Sequence, residues 1–490
     1  MGIYFEALLT ISSRFVSSGF VSGLEFRDFF RPFRWILLWT ALAIPGLNTV
    51  AEPLPAETQV IIAQMAELLA QGQFDKALEL FDGIDPVDAA DSGIRMLKAS
   101  VLCSAGRVAE GRAIAEKILA EEPDNTDALM LLSTIARAGG KSRDEKAALE
   151  RLLKANPNNL KALVDLGNIA LRGRSPKTAA SYFDRALALE PEHLEALIGR
   201  ANIHRQNQEP REAEALLNRA VSLHPREPAP FTERAKLYRR AGYPAQALED
   251  LDSAAKLDPK DYWIAADRGA VLVELNRKGE ALEEFNRALS IDDSNFFAYV
   301  YVAGIKDEMG DMDGAETAYL ALTRLKPEYY FAWEGLGIIR MKKEQWAEAR
   351  DAFLEAYRYA PNEWCYALLA SISWMKAGKP ADPRQFLDQA LRKARQSPGQ
   401  NSLEYLMMRL YREFAGDNDL ALKIDKEKSE TLKARMLFYL AAYYDIRGNK
   451  TLANKYYTDV KNLDTPGIPE WRINEWTVKT RDLAASPQGK

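Results

Sequence analysis

Asn168, Asn202 and Lys236 stand 34 residues apart, and each is followed three or four positions later by arginine: Arg172, Arg205, and the pair Arg239 and Arg240. An asparagine amide offers a donor and an acceptor together, which suits the backbone of an extended peptide, and a guanidinium takes a carboxylate through two parallel hydrogen bonds. Such groups suit recognition of a polypeptide; the alternative is that they only solvate helix faces or pair with Asp165 and Glu195. Residues suited to bond making are scarce. The two cysteines, Cys103 and Cys365, lie 262 positions apart, which supports neither a disulfide framework nor a cysteine zinc site. His193, His204 and His224 show no HExxH or other metal spacing, and no serine, cysteine or aspartate constellation accompanies them. Gly139-Gly140-Lys141-Ser142 has the form of the end of a phosphate-binding loop, but Ile135 stands where the earlier glycine is required. It is expected to be a turn between helices. No cofactor and no metal are expected.

The elements that position these residues must come from a chain of 490 residues with 65 basic and 70 acidic side chains, a net charge of −5. That balance gives no general basic surface for nucleic acid, and 47% hydrophobic residues is far above the level of a disordered chain. Length alone suggests about three domains. Residues 1–51 are set apart from the rest. Arg27, Arg31 and Arg34 precede thirteen mostly apolar residues, Trp35–Leu47, and then Thr49-Val50-Ala51. This is the basic, apolar and small-residue order of a secretory signal. The apolar run is short beside the roughly 20 residues that a membrane span needs. Cleavage near Ala51 and a periplasmic or secreted location are expected, with an inner-membrane anchor facing the periplasm as the alternative. The membrane is then touched only through this segment, if it stays uncleaved.

The rest of the chain repeats every 34 residues. In six blocks from residue 160, position 8 is small (Gly167, Ala201, Ala235, Gly269, Ala303, Gly337) and position 20 is alanine (Ala179, Ala213, Ala247, Ala281, Ala315, Ala349). Position 24 is bulky (Phe183, Leu217, Leu251, Phe285, Tyr319, Phe353), and position 32 is proline in all but one block. Small residues let two helices of a block approach, the bulky residue fills the space beside them, and Gly at position 15 or an equivalent breaker and Pro at position 32 end the helices. Each block is a helical hairpin too small to stand alone, so hairpins must stack. The phase runs without insertion through 58–397. It degenerates over 398–467, with a clearer block at 434–467, and 468–490 is expected to be a capping helix and tail.

Period, phase and residue types together resemble the tetratricopeptide repeat family, in its exported bacterial form. The resemblance implies an all-α fold, a right-handed superhelical solenoid of about twelve hairpins. It also implies that positions 2, 5, 9, 12 and 13 of each first helix line a concave groove that holds a protein or peptide partner. On that projection Asn168, Arg172, Asn202, Arg205, Lys236, Arg239 and Arg240 form a polar, basic strip similar to the peptide and carboxylate clamps of the family, although their order departs from the chaperone-binding version. A second zone is aromatic and apolar: Trp263, Phe297 and Phe331 at position 2, with Ile338, Met341, Ile372 and Met375 further in. Such a surface suits an amphipathic helix or a hydrophobic segment. The function implied is a non-enzymatic scaffold in envelope assembly, secretion or exopolysaccharide export, which can also self-associate through a terminal repeat. The alternative is a hydrolase or transferase with a cryptic site in 398–433, where Glu404, Arg409 and Asp417 supply no recognisable catalytic cluster.

Overall fold

A computed structural model describes residues 55–378, 383–395 and 399–485. The expected signal in 1–51 lies outside the described residues. Every regular element among the described residues is helical, and they fall into two units, 55–257 and 258–485.

The first unit holds six hairpins. In chain order its helices are α1 (Ala56–Ala70), α2 (Phe74–Glu79), α3 (Pro86–Ala89), α4 (Ser92–Ser104), α5 (Val108–Glu121), α6 (Thr126–Ala138) and α7 (Ser142–Ala155). They continue with α8 (Leu160–Arg172), α9 (Pro176–Leu189), α10 (Leu194–Gln206), α11 (Pro210–Leu223), α12 (Pro228–Arg240) and α13 (Pro244–Leu257). The second unit also holds six hairpins and a closing helix. These are α14 (Tyr262–Glu274), α15 (Lys278–Ile291), α16 (Phe296–Met309), α17 (Met312–Leu325), α18 (Tyr330–Lys342), α19 (Trp346–Tyr359) and α20 (Trp364–Lys376). After them come α21 (Arg384–Ala394), α22 (Leu403–Glu413), α23 (Asp417–Asp425), α24 (Glu430–Ile446), α25 (Lys450–Asn462) and α26 (Pro469–Ala485). The proline at position 20 of its block makes α21 begin at Arg384, with Pro383 as its N-cap.

Local chemistry sets these boundaries. The first helices α6, α8, α14 and α16 start after Asn125, Asn159, Asp261 and Asn295, whose side-chain oxygens accept from otherwise unpaired amides of the first turn. Each first helix of the ten regular blocks ends at position 15 in the left-handed region. Glycine serves there six times, as in Gly140 (φ 67°) and Gly310 (φ 79°), but Arg174 (55°), Gln208 (63°), Asn276 (57°) and Glu344 (56°) adopt the same conformation. The turn between paired helices therefore dictates the backbone even where the side chain resists it, at a cost of about 1 kcal/mol per residue.

Packing follows the 34-residue period. The ring of Phe183 is fully buried between Gly167 of its own hairpin and Gly199 of the next, and a Cβ added at Gly167 would sit 2.7 Å from it. Within the first unit the first helices touch directly, α4 with α6, α8 with α10 and α10 with α12, while contacts between second helices are sparser. First helices thus lie on one side of the stacked hairpins. A side-chain link repeats as well: Arg151, Arg185 and Arg219 each donate to the carbonyl of the proline that closes the preceding hairpin, Pro123, Pro157 and Pro191, at 3.0, 2.8 and 3.0 Å. Arg287 does the same to Pro259 in the second unit (2.8 Å).

Candidate partner-binding faces

The first-helix layer of 126–240 carries the polar strip. Asn168 and Asn202 sit half-buried at the same position of the adjacent helices α8 and α10. Among the described residues neither amide has a hydrogen-bond partner. Arg172 is exposed, 4.0 Å from Glu145. Glu145 fills position 20 of its block, where the pattern has alanine, and it is buried because Arg137 neutralises it (2.7 Å) while also holding Asp165 (2.6 Å). Burial pulls the Arg137 guanidinium down, yet Asp165 and Glu145 hold it above its ordinary value.

Arg205, Lys236 and Arg240 come together further along. Glu233 pairs with Lys236 (2.8 Å) and more loosely with Arg205 (3.4 Å). The Arg205 guanidinium is pulled below its ordinary value by burial, with Arg240 adding to the effect against Glu233, and its buried Nε has no hydrogen-bond partner. Lys236 and Arg240 are exposed, and Arg239 is half-buried. Glu233 therefore serves both Arg205 and Lys236, with the positive charge of Arg240 acting on Arg205, in a setting where a further anion would be favoured.

The aromatic zone behaves differently. Trp263 is 51% exposed and packs on Tyr262 with ring centroids 5.0 Å apart. Phe297 and Phe331 are half-buried, and Phe331 lies 4.2 Å from Tyr330 and 5.6 Å from Tyr329. The inner set does not form an open surface. Ile338, Met341 and Ile372 are 0, 4 and 2% exposed, and Met375 is half-buried against the same core. The expectation of an apolar groove at these residues is corrected by what covers them. Their cluster includes Tyr439 and Leu440 of α24 and Ile473 of α26, and α24 packs on α20 while α26 reaches α18.

The covered face has a buried polar centre. The Tyr439 hydroxyl donates to Glu470 (2.6 Å) and lies 3.2 Å from the Cys365 carbonyl, and Tyr366 donates to the buried Glu334 (2.6 Å). Arg435 stands 3.7 Å from Glu470, and Lys376 and Arg481 both hold Asp445 at 2.6 Å. Sequence reasoning missed Glu334, Arg435 and Glu470. Their signal was available: they accompany a helix whose residues Met436–Tyr444 are all apolar or aromatic, and an all-round apolar helix must be enclosed.

The remaining candidates for chemistry are structural. Burial pushes the Cys103 thiol up to about 11 and that of Cys365 well above its usual range, so neither supplies a thiolate near neutrality. His204 bonds Glu209 (2.7 Å), His224 bonds the Glu192 carbonyl (2.7 Å), and His193 lies 3.2 Å from Glu195. Gly139-Gly140-Lys141-Ser142 is the turn from α6 to α7. In 398–433, Arg409 is paired with Glu413 of its own helix and Asp417 accepts from Tyr444, so the two are engaged in separate structural contacts.

Family profiles described as tetratricopeptide repeat match residues 68–135, 136–228, 232–296 and 306–363, together more than half of the chain. Solved structures similar to the chain include a tetratricopeptide repeat protein from Parabacteroides merdae (18% identity, 50% of this chain and 98% of that one, TM-score 0.43). Another is pilF from Pseudomonas aeruginosa (20% identity, 44% and 94%, TM-score 0.37). A third is a thermophilic tetratricopeptide repeat protein from Thermus thermophilus (21% identity, 37% and 100%, TM-score 0.33). No curated protein matches the chain.

Proposed function

The chain belongs to the tetratricopeptide repeat family, and from that premise we propose that it is a non-enzymatic scaffold of the bacterial envelope that holds an extended, carboxylate-bearing polypeptide against the first-helix face of residues 126–240. The observation that carries this reading is the pair of amides without partners, Asn168 and Asn202, beside the incompletely neutralised Arg205. The amides would take the peptide backbone and the Arg205–Lys236–Arg240 cluster a carboxylate. A stack of preformed helices loses little entropy on binding, so a few such contacts suffice for a useful affinity.

The test is a panel of peptides with acidic or free-carboxylate ends, measured against the intact chain and an Asn168→Ala/Asn202→Ala/Arg240→Ala variant. Hydrogen bonds contribute about 0.5–1.5 kcal/mol each between neutral groups and about 1.5–3 kcal/mol where a group is charged, so the triple change is expected to weaken binding on the order of a hundredfold or more. Undiminished binding by the triple variant rejects the face. The envelope location rests on the order of residues 27–51 and is checked separately: the mature protein is expected to begin near Glu52, and an intact N-terminus in the soluble cytoplasmic fraction rejects export.

A further inference from the structure

In stacked hairpins each hairpin needs only its neighbours, so a contact that skips several of them is an addition to the stacking rule. The closing helix α26 makes one. Arg472 donates to Asp307 of α16, 165 positions earlier, and also acts on the buried hydroxyl of Tyr319 in α17. The same helix touches α18, and Trp471 packs half-buried, as do Tyr330 and Trp364, against the core that contains Ile338. Asp307 occupies position 12 of its block, on the first-helix face, and its side chain is only 7% exposed.

We propose that α26 is an intramolecular ligand: it fills the α16–α18 face in place of a partner helix that presents an arginine beside a large aromatic residue, and such a partner gains the face only when α26 leaves. Two observations support this assignment. The link from α26 to α16 is a charge-assisted hydrogen bond to a desolvated carboxylate, a directional contact that an incoming arginine can reproduce. Lys342 also binds Asp307, at 3.2 Å. When Arg472 departs, the carboxylate keeps that cation, while the Tyr439 hydroxyl loses Glu470.

The experiment uses the whole chain. Arg472→Glu sets two carboxylates against each other, and hydrogen exchange of the α26 amides is expected to accelerate roughly tenfold or more. A labelled peptide spanning residues 467–485, with its arginine intact, should bind this variant roughly tenfold tighter than the wild-type chain, whose face is filled. The same peptide carrying Arg472→Ala should lose that advantage. The conservative variant Arg472→Lys keeps a cation beside Asp307 and should keep slow exchange and peptide exclusion. Equal peptide binding by wild type and Arg472→Glu overturns the proposal, and so does an Arg472→Lys variant that loses protection. If Arg472→Glu unfolds the unit, Arg472→Ala takes its place and is read by the same exchange and peptide measurements.

Discussion

Position 9 of the first helix holds Asn168 and Asn202 in one unit and Ile338 and Ile372 in the other. The former are half-buried with unpaired amides, whereas the latter are 0 and 2% exposed. The repeat assigns both pairs to the same face, so the repeat does not decide whether that face is open. What decides is the rest of the chain. Over 296–376 the face is lined with Ile, Met, Leu and Tyr, and α24 and α26 supply the apolar and charged groups that cover it. Apolar residues at face positions marked a face already filled, while polar ones marked a face still wet.

The largest test of this difference is alkaline pH. Burial raises the Tyr319 hydroxyl to about 12, and it holds Tyr411 and Tyr439 well above the usual tyrosine range, with neighbouring acidic and phenolic groups adding to it. A folded value above the unfolded one, about 10, means that these groups contribute stability fully below pH 10 and lose it as pH rises beyond. Each buried tyrosine withdraws about 1.4 kcal/mol per pH unit. Residues 258–485 should therefore unfold before 55–257 in a titration followed by tyrosinate absorbance and circular dichroism. Unfolding of 55–257 first would contradict the enclosed face.

Next in size is truncation at matched positions. Ile338→Ala should destabilise the second unit by about 2–5 kcal/mol, and Asn202→Ala should change the first by less than about 0.5 kcal/mol, as read from urea midpoints. Comparable losses would dissolve the contrast. The turns supply a control, because they are alike in both units. Arg174→Gly and Glu344→Gly each relieve a left-handed residue and should raise stability by about 1 kcal/mol, equally in the two units. A clearly larger gain in one would show that the turns are not equivalent. The smallest effect belongs to the exposed cations: Arg172→Ala and Arg240→Ala should each shift stability by under about 0.5 kcal/mol in thermal melts. A larger loss from either would mean that it braces the fold and is not held ready for a ligand.

Helix order and hairpin pairing were legible in the sequence because they depend on local rules: small residues at positions 8 and 20, a bulky one at 24, and breakers at 15 and 32. The left-handed conformation of Arg174, Gln208 and Glu344 was less visible, since neither arginine, glutamine nor glutamate advertises it and the turn imposes it. The enclosure of Ile338, Met341 and Ile372 was missed for a different reason. It depends on contacts such as Tyr439 with the Cys365 carbonyl and Arg472 with Asp307, which join residues 74 and 165 positions apart, and a 34-residue period carries no information at that range. Glu145 did leave a trace. A carboxylate in place of the alanine at position 20 required a buried cation, and Arg137, eight positions earlier, supplies it.

The arginine that reaches back to the preceding proline carbonyl has a consequence for how such a chain changes over generations. Its donor is one side chain carried by the later hairpin, and its acceptor is main chain, present whatever residues the earlier hairpin holds. A duplicated 34-residue segment inserted at a block boundary would bring its own connector and find a socket waiting, and a deleted one would leave flanking segments that still fit. Growth and loss by whole segments are thereby made neutral at the joint, and selection is left to act on the faces.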